Sequence, residues 1–266
     1  MDVIGYVASL FIGISLGLIG GGGSILTVPV LVYLFGISVE LSTAYSLFIV
    51  GTTALVGGIH NATLGNVNYK TALVFAIPAF IAVYFTRAYL VPAIPPEIIA
   101  FGDFVLTKDI AIMIFFSLVM LAVSVSMMRD SLNDTEQIFD QAGPQFNVLA
   151  IIAEGAVVGV LTGIVGAGGG FLIIPALVLF AKISMKKAVG TSLFIIAAKS
   201  LIGFIGDVQR PDLEIDWNLL LSVTAIAVVG IFIGIYLTKF IDGKKLKKGF
   251  VWFVLLMAVY IIGKQF

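Results

Sequence analysis

The sequence predicts an all-α integral membrane protein: an inverted repeat of two five-segment halves, about 8–10 transmembrane or re-entrant helices in all, with Gly-rich helix breaks near the midplane. Three observations carry this. Hydrophobic residues make up 60% of the 266 and charged residues 11%, with a mean hydropathy of +1.16, whereas soluble chains carry about 25% charged residues. A glycine run occurs twice, as Gly20, Gly21, Gly22, Gly23, Ser24 and as Gly166, Ala167, Gly168, Gly169, Gly170, each followed by an apolar stretch up to a proline, Pro29 or Pro175. Laying 20–61 on 166–207, an offset of 146 residues, gives 16 identities in 42 ungapped pairs, among them Ser38 with Ser184 and the run Ser46 to Ile49 with Ser192 to Ile195. That is an internal duplication.

The apolar runs define the segments. In the first half they are 3–19, a short one at 24–36, then 40–60, 69–91 and 107–128. The second half repeats the series at 147–165, short again at 171–181, then 186–206, 217–239 and 249–265. Residues 1–128 therefore form the first repeat and 147–266 the second. Between them 129–146, rich in Asp, Asn and Gln, reads as a cytoplasmic linker. Pro92, Pro95 and Pro96, with Glu97, Asp103, Lys108 and Asp109, read as a second long loop. The first segment lacks a basic leader and a small-residue cleavage site, so it is expected to belong to the mature protein.

Lysine and arginine collect in cytoplasmic loops. Lys182, Lys186 and Lys187 mark one such loop, and Lys239, Lys244, Lys245, Lys247 and Lys248 another. Between these, Asp207 to Asp216 carries four acids and only Arg210, which suits the outside. Counting back places equivalent loops of the two halves on opposite faces. An odd number of segments per repeat requires the halves to be inverted, whether the first two segments of each half cross fully or dip in and return.

Four glycines in a row are poor helix, since each costs about 1 kcal/mol relative to alanine. Helix is expected to resume at about Ser24 and Phe171. The first amides of those helices have no partner within the helix, the helix start carries about half a positive charge, and glycine lets a ligand approach the backbone. Two such starts facing one cavity would bind an anion; the competing role for these glycines is tight helix packing.

The Gly-rich run leading to a proline in both halves, the Ser-Leu-Phe elements at Ala44 to Phe48 and Gly190 to Phe194, and the tail His60, Gly65, Asn66, Val67 resemble the sulfite exporter TauE/SafE family of membrane permeases. The resemblance covers nearly the whole chain. It implies transport of small, typically sulfur-containing anions such as sulfite, sulfoacetate or other organosulfonates across the cytoplasmic membrane of a prokaryote. The family's glycine motifs fall on Gly20, Gly22, Gly23, Gly166, Gly168 and Gly169, and its Gly-Thr-Ser element on Gly190, Thr191 and Ser192. The first half departs from that element, with Ala44, Tyr45, Ser46.

Ionisable groups at bilayer depth are costly and usually face a cavity or a partner. Lys199 lies inside 186–206, seven residues and two turns beyond Ser192, so both share a face. An ammonium beside hydroxyls suits an oxyanion; the structural alternative is a pair with Glu154. Glu154, one turn into its segment, is a candidate proton carrier or a solvated end residue. His60, the only histidine, is either a titrating group or a helix-end residue. Thr52 or Thr53 should face inward with Ser46. The candidate substrate-binding set is thus Gly20, Gly22, Gly23, Ser24, Ser46, Gly166, Gly168, Gly169, Gly170, Thr191, Ser192 and Lys199, with Glu154 and His60 as candidate coupling groups.

No nucleophile with a matching base, metal-ligand spacing or Walker-type loop is present, so neither an enzyme nor an ATP-driven pump is supported, and no cofactor is implied. The absence of cysteine excludes disulfides and thiolate metal sites. Fifteen basic and fifteen acidic residues argue against nucleic acid as a partner. The expectation is a secondary transporter of a small anion in the cell (inner) membrane, working by alternating access, with an anion channel or passive pore as the alternative. Its partners would be the anion, the lipid bilayer and a coupling ion, proton or sodium. A glycine-rich face would also serve a homodimer.

Overall fold

The computed structural model describes residues 2–90, 93–95, 97–101, 104–132, 148–165, 170–179, 181, 183–208 and 214–265. The chain is helical almost throughout, as a bilayer demands, because a helix satisfies its backbone groups internally. The first half contains α1 (Asp2–Ile19), α2 (Gly22–Tyr33), α3 (Val39–Thr63), α4 (Tyr69–Phe85) and α5 (Lys108–Leu132). The second contains α6 (Val148–Val165), α7 (Gly170–Leu179), α8 (Met185–Val208), α9 (Trp217–Thr238) and α10 (Gly243–Gln265). Among the described residues, Leu41–Thr63, Met185–Ile205 and Trp217–Thr238 are long and apolar enough to cross a membrane, and six shorter apolar helices accompany them. Bulky apolar side chains such as Leu73, Ile81, Leu149, Phe232 and Leu256 are exposed on the outside, as expected of a surface solvated by lipid.

Four boundaries differ from the sequence reading. Helix resumes at Gly22 and Gly170, not at Ser24 and Phe171, so two of the four consecutive glycines are helical. α4 ends at Phe85 and continues as one π-helical turn, Thr86–Leu90. The lysine-rich stretch before residue 249 is not a loop but forms the first turns of α10, and Arg129 belongs to the last turn of α5. The Pro-rich connection after α4 contains a two-stranded antiparallel ribbon, β1 (Glu97–Phe101) and β2 (Phe104–Thr107), with Phe101 opposite Phe104. Its run of Ile98, Ile99, Phe101, Phe104 and Val105 favours strand over helix. Residues 129–132 of the expected 129–146 linker are thus helical, and 133–146 lie outside the described residues.

α1 and α2 form an antiparallel hairpin closed by the first glycine run. Gly23 presses on Leu16 and Ile12, and at the open end Gly5 faces the Phe35 ring. A Cβ on Gly22 would meet Ser15 Oγ at 2.9 Å and Phe253 of α10 at 3.3 Å. The chain thus leaves the hairpin at the end where it entered, and α3 then runs 25 residues, about 37 Å at 1.5 Å per residue.

The halves interlock. α1 packs in parallel against α9: Gly13 lies on Ala227 and Gly230, and Gly17 on Ile231 and Gly234. α6 packs in parallel against α4 in the same manner, with Gly155 on Phe75, Gly159 on Ala79 and Gly163 on Thr86. So the first helix of each half lies against the fourth helix of the other. The third helices pair antiparallel, Leu47 against Gly203, Gly51 against Leu201 and Gly57 against Leu193. The fifth helices, α5 and α10, also pair, and Ser124 Oγ donates to Val251 O at 3.1 Å. Small residues let these backbones touch, which is the usual basis of helix association in lipid. The Gly13, Gly17, Gly230 and Gly234 faces are therefore occupied within the chain.

Candidate functional site

Gly20 makes the first break possible. Its φ of +73° lies in the left-handed region, which costs an L side chain about 1–2 kcal/mol. Gly20 N–H donates to Leu16 O at 2.7 Å and Gly21 N–H to Ile19 O at 3.0 Å, closing α1. α2 then begins with no side-chain cap, so its first amides, at Gly22 and Gly23, have no acceptor ahead of them in the helix. All residues from Gly20 to Ile25 are buried.

This break faces the second half. A Cβ on Gly20 would sit 2.7 Å from Ser192 Oγ, 2.9 Å from Ile174 Cδ1 and 3.3 Å from Val189 Cα. One turn further on, Ser24 meets the start of α7: the Cβ position of Gly170 is 3.2 Å from Ser24 Oγ and 2.7 Å from Ile196 Cδ1. Ser24 and Gly170 are 146 residues apart, the repeat offset itself. Equivalent residues of the two halves thus touch in the buried centre, each in the first turn of a helix that follows a glycine run. Gly166, Gly168 and Gly169 lie outside the described residues.

The predicted polar residues divide. Ser24 Oγ donates to Gly21 O at 2.7 Å, Ser192 Oγ to Val189 O at 2.9 Å, and Ser46 is buried. Lys199 Nζ donates to Thr162 Oγ1 at 3.1 Å, and Thr162 in turn donates to Gly159 O at 3.1 Å. Lys199 therefore reaches the last turn of α6, four residues before the second glycine run. Glu154, eight residues earlier on α6, is half-buried, with Oε2 shielded from solvent. His60, in the last turn of α3, packs edge-on against Phe232 of α9 with ring centres 6.2 Å apart.

Thr191 makes a connection that sequence reasoning missed. Its Oγ1 accepts the Asn68 backbone N–H at 3.0 Å, and Asn68 caps α4 through Thr71 N. In the other half Tyr45 OH accepts the Asp216 N–H at 2.6 Å, and Asp216 caps α9 through Asn218 and Leu219 N. Tyr45 and Thr191 are 146 residues apart, so the departure from Gly-Thr-Ser in the first half keeps the hydroxyl and lengthens its reach. Gly190 belongs to the same docking contact, where an added Cβ would lie 2.5 Å from Asn66 O. Ser15, Thr162 and Ser200 also went unsingled, although all three stand within five residues of a glycine run or beside Lys199.

Long apolar helices, a buried glycine break and a bilayer-type exterior define a multi-pass membrane protein, and its relatives define the class as membrane transporter. The model of the family described as Sulfite exporter TauE/SafE matches residues 6–261. The chain belongs to that family. It is 29% identical over 261 residues to a "Probable membrane transporter protein" of Xylella fastidiosa (strain 9a5c), covering 96% of this chain and 92% of the relative. It is 26% identical over 236 residues to "Probable membrane transporter protein YdhB" of Bacillus subtilis, covering 89% and 90%, and 26% identical over 274 residues to a "Probable membrane transporter protein" of Haemophilus influenzae, covering 93% and 92%. No solved structure gives a significant match.

Proposed function

We propose that the chain is a secondary transporter that moves a small, sulfur-containing anion such as sulfite, sulfoacetate or another organosulfonate across the cytoplasmic (inner) membrane by alternating access. The observation that carries this reading is the meeting of Ser24 with Gly170 in the buried core. There, the uncapped start of α2 and the start of α7 approach one another with their positive dipole ends, a suitable environment for an oxyanion. Lys199, on the helix that packs against both starts, would supply the full positive charge.

The pairing of first helix with fourth across the halves, and of third with third, is what an in-plane pseudo-two-fold axis between inverted repeats would produce. Gly57 against Leu193 and Gly203 against Leu47 are the same contact written twice, since each residue maps to its counterpart at the 146-residue offset. Rocking of one helix group about the central contact would then expose the site to each side in turn. The glycine candidates have two roles in this scheme: Gly20 and Gly170 admit the ligand, while Gly22 and Gly23 let the hairpin close.

The test is ligand-dependent thermal stabilisation of the purified protein with sulfite, thiosulfate, sulfoacetate, taurine, sulfate, acetate and chloride, followed by flux in liposomes. Stabilisation by a sulfur oxyanion, lost in Lys199→Met, with saturable flux that a gradient drives uphill, is expected. Flux that never saturates and runs only downhill would replace the transporter with a pore, and equal stabilisation by every anion would remove the sulfur specificity.

A further inference from the structure

Buried hydroxyls in a helix usually bond back to a carbonyl one turn earlier, and several here do. Ser9 bonds Gly5 O, Thr27 bonds Gly23 O, Ser192 bonds Val189 O and Thr224 bonds Leu220 O. Ser15, Thr53 and Ser200 break the pattern: their oxygens are closed off from solvent and have no hydrogen-bond partner among the described residues. In a bilayer interior no water compensates such a group, so an unpartnered hydroxyl calls for an explanation.

Ser200 is distinguished by its place. It is 1% exposed and stands four residues past Ile196 and eight past Ser192, on one face of α8. That face looks onto the first break and onto the start of α7, because Ser192 Oγ lies 2.7 Å from the Cβ position of Gly20 and Ile196 Cδ1 lies 2.7 Å from that of Gly170. Its sequence neighbour Lys199 reaches Thr162 at the end of α6. The repeat offset maps Thr162, Lys199 and Ser200 onto Leu16, Thr53 and Ala54. The second half therefore carries an ammonium and two hydroxyls where the first carries one hydroxyl.

We infer that Ser200 is a specificity-determining donor of the anion site: Lys199, turning from Thr162, takes the ligand's charge on the second-half side, and the Ser200 O–H donates to another oxygen of the same ligand. The site is then chemically one-sided although the scaffold is duplicated. The ligand class is an oxyanion with at least two acceptor oxygens on one centre, as in a sulfonate or sulfite, whose separate oxygens engage two separately placed donors at once. The inference rests on the anion-transporter reading above.

The experiment is calorimetric titration of the purified full chain with sulfite, sulfoacetate and chloride, in wild type, Ser200→Ala, Lys199→Met and Ser9→Ala, with thermal unfolding of each. Ser9→Ala is the control because its hydroxyl already has a carbonyl partner and lies outside the site. Ser200→Ala is expected to unfold no earlier than wild type, because no native bond is lost, while oxyanion affinity falls about tenfold and chloride binding is unchanged. Wild-type oxyanion affinity in Ser200→Ala alongside a loss in Lys199→Met would overturn the Ser200 assignment and leave the transporter reading standing. An equal fall for all three anions, or a drop in thermal stability like that of Ser9→Ala, would reduce Ser200 to a packing residue. A wild type that binds none of the three would overturn both.

Discussion

Replacing Gly20 by alanine tests whether the first break is wedged against the second half. Two costs combine. The left-handed backbone, φ +73°, costs a residue with a Cβ about 1–2 kcal/mol. The added carbon also meets Ser192 Oγ at 2.7 Å and Ile174 Cδ1 at 2.9 Å, with the Val189 Cα at 3.3 Å. The Ser192 hydroxyl is held by Val189 O and the Val189 backbone belongs to a helix, so relief requires the break itself to move. Overpacking of that kind costs about 1–3 kcal/mol. Gly36 separates the terms, since it shares the backbone conformation at φ +71° but has nothing within 4 Å of its Cβ position. Gly36→Ala should therefore lose about 1–2 kcal/mol and Gly20→Ala about 2–5 kcal/mol, read as thermal or denaturant unfolding of the purified protein. If the two variants unfold at the same temperature, the break does not press on α8 and the central contact with the second half is wrong.

The two cap-to-hydroxyl contacts should behave as equivalents. Tyr45→Phe and Thr191→Val each leave a backbone N–H at Asp216 or Asn68 without its acceptor and should cost about 1–3 kcal/mol; being at opposite ends of the α3–α8 pair, their effects should add in the double variant. Amide exchange that accelerates at Asp216 in the first variant and at Asn68 in the second is the direct check. Gly13→Val should abolish the folded protein, because its Cβ would enter the Ala227 and Gly230 backbone, and size-exclusion profiles would show aggregation. Gly249→Ala, inside α10 with nothing within 4 Å, should instead stabilise by about 0.5–1 kcal/mol, seen as a raised unfolding temperature.

Much of this architecture is legible in the residues. Runs of apolar sequence locate all ten α-helices of the described residues because length and hydropathy are local properties, and boundaries such as 217–239 against Trp217–Thr238 agree within one residue. Errors fall where a local rule meets a neighbour. Gly22 and Gly23 read as helix breakers, yet they are helical because the α1–α2 hairpin brings Leu16 and Ser15 onto them and rewards the absence of a side chain. The lysines before residue 249 read as loop because charge ends an apolar run, but charge does not end a helix. Tyr45 read as a departure from its counterpart Thr191, because sequence compares side-chain types while the fold compares where an oxygen arrives.

The sequence by itself determined the class, the duplication and the place of the first glycine break to within two residues, since composition, spacing and glycine content are properties of a chain before it folds. The tertiary structure decided which helices are partners. A glycine face announces close contact without naming its neighbour, and only packing reveals that the Gly13 and Gly17 face of α1 lies on α9 of the other half. Packing likewise decided which hydroxyls were already spent on a carbonyl and which, like that of Ser200, have no partner among the described residues. That distinction depends on rotamers and neighbours about 3 Å away, a scale on which residue order carries no information.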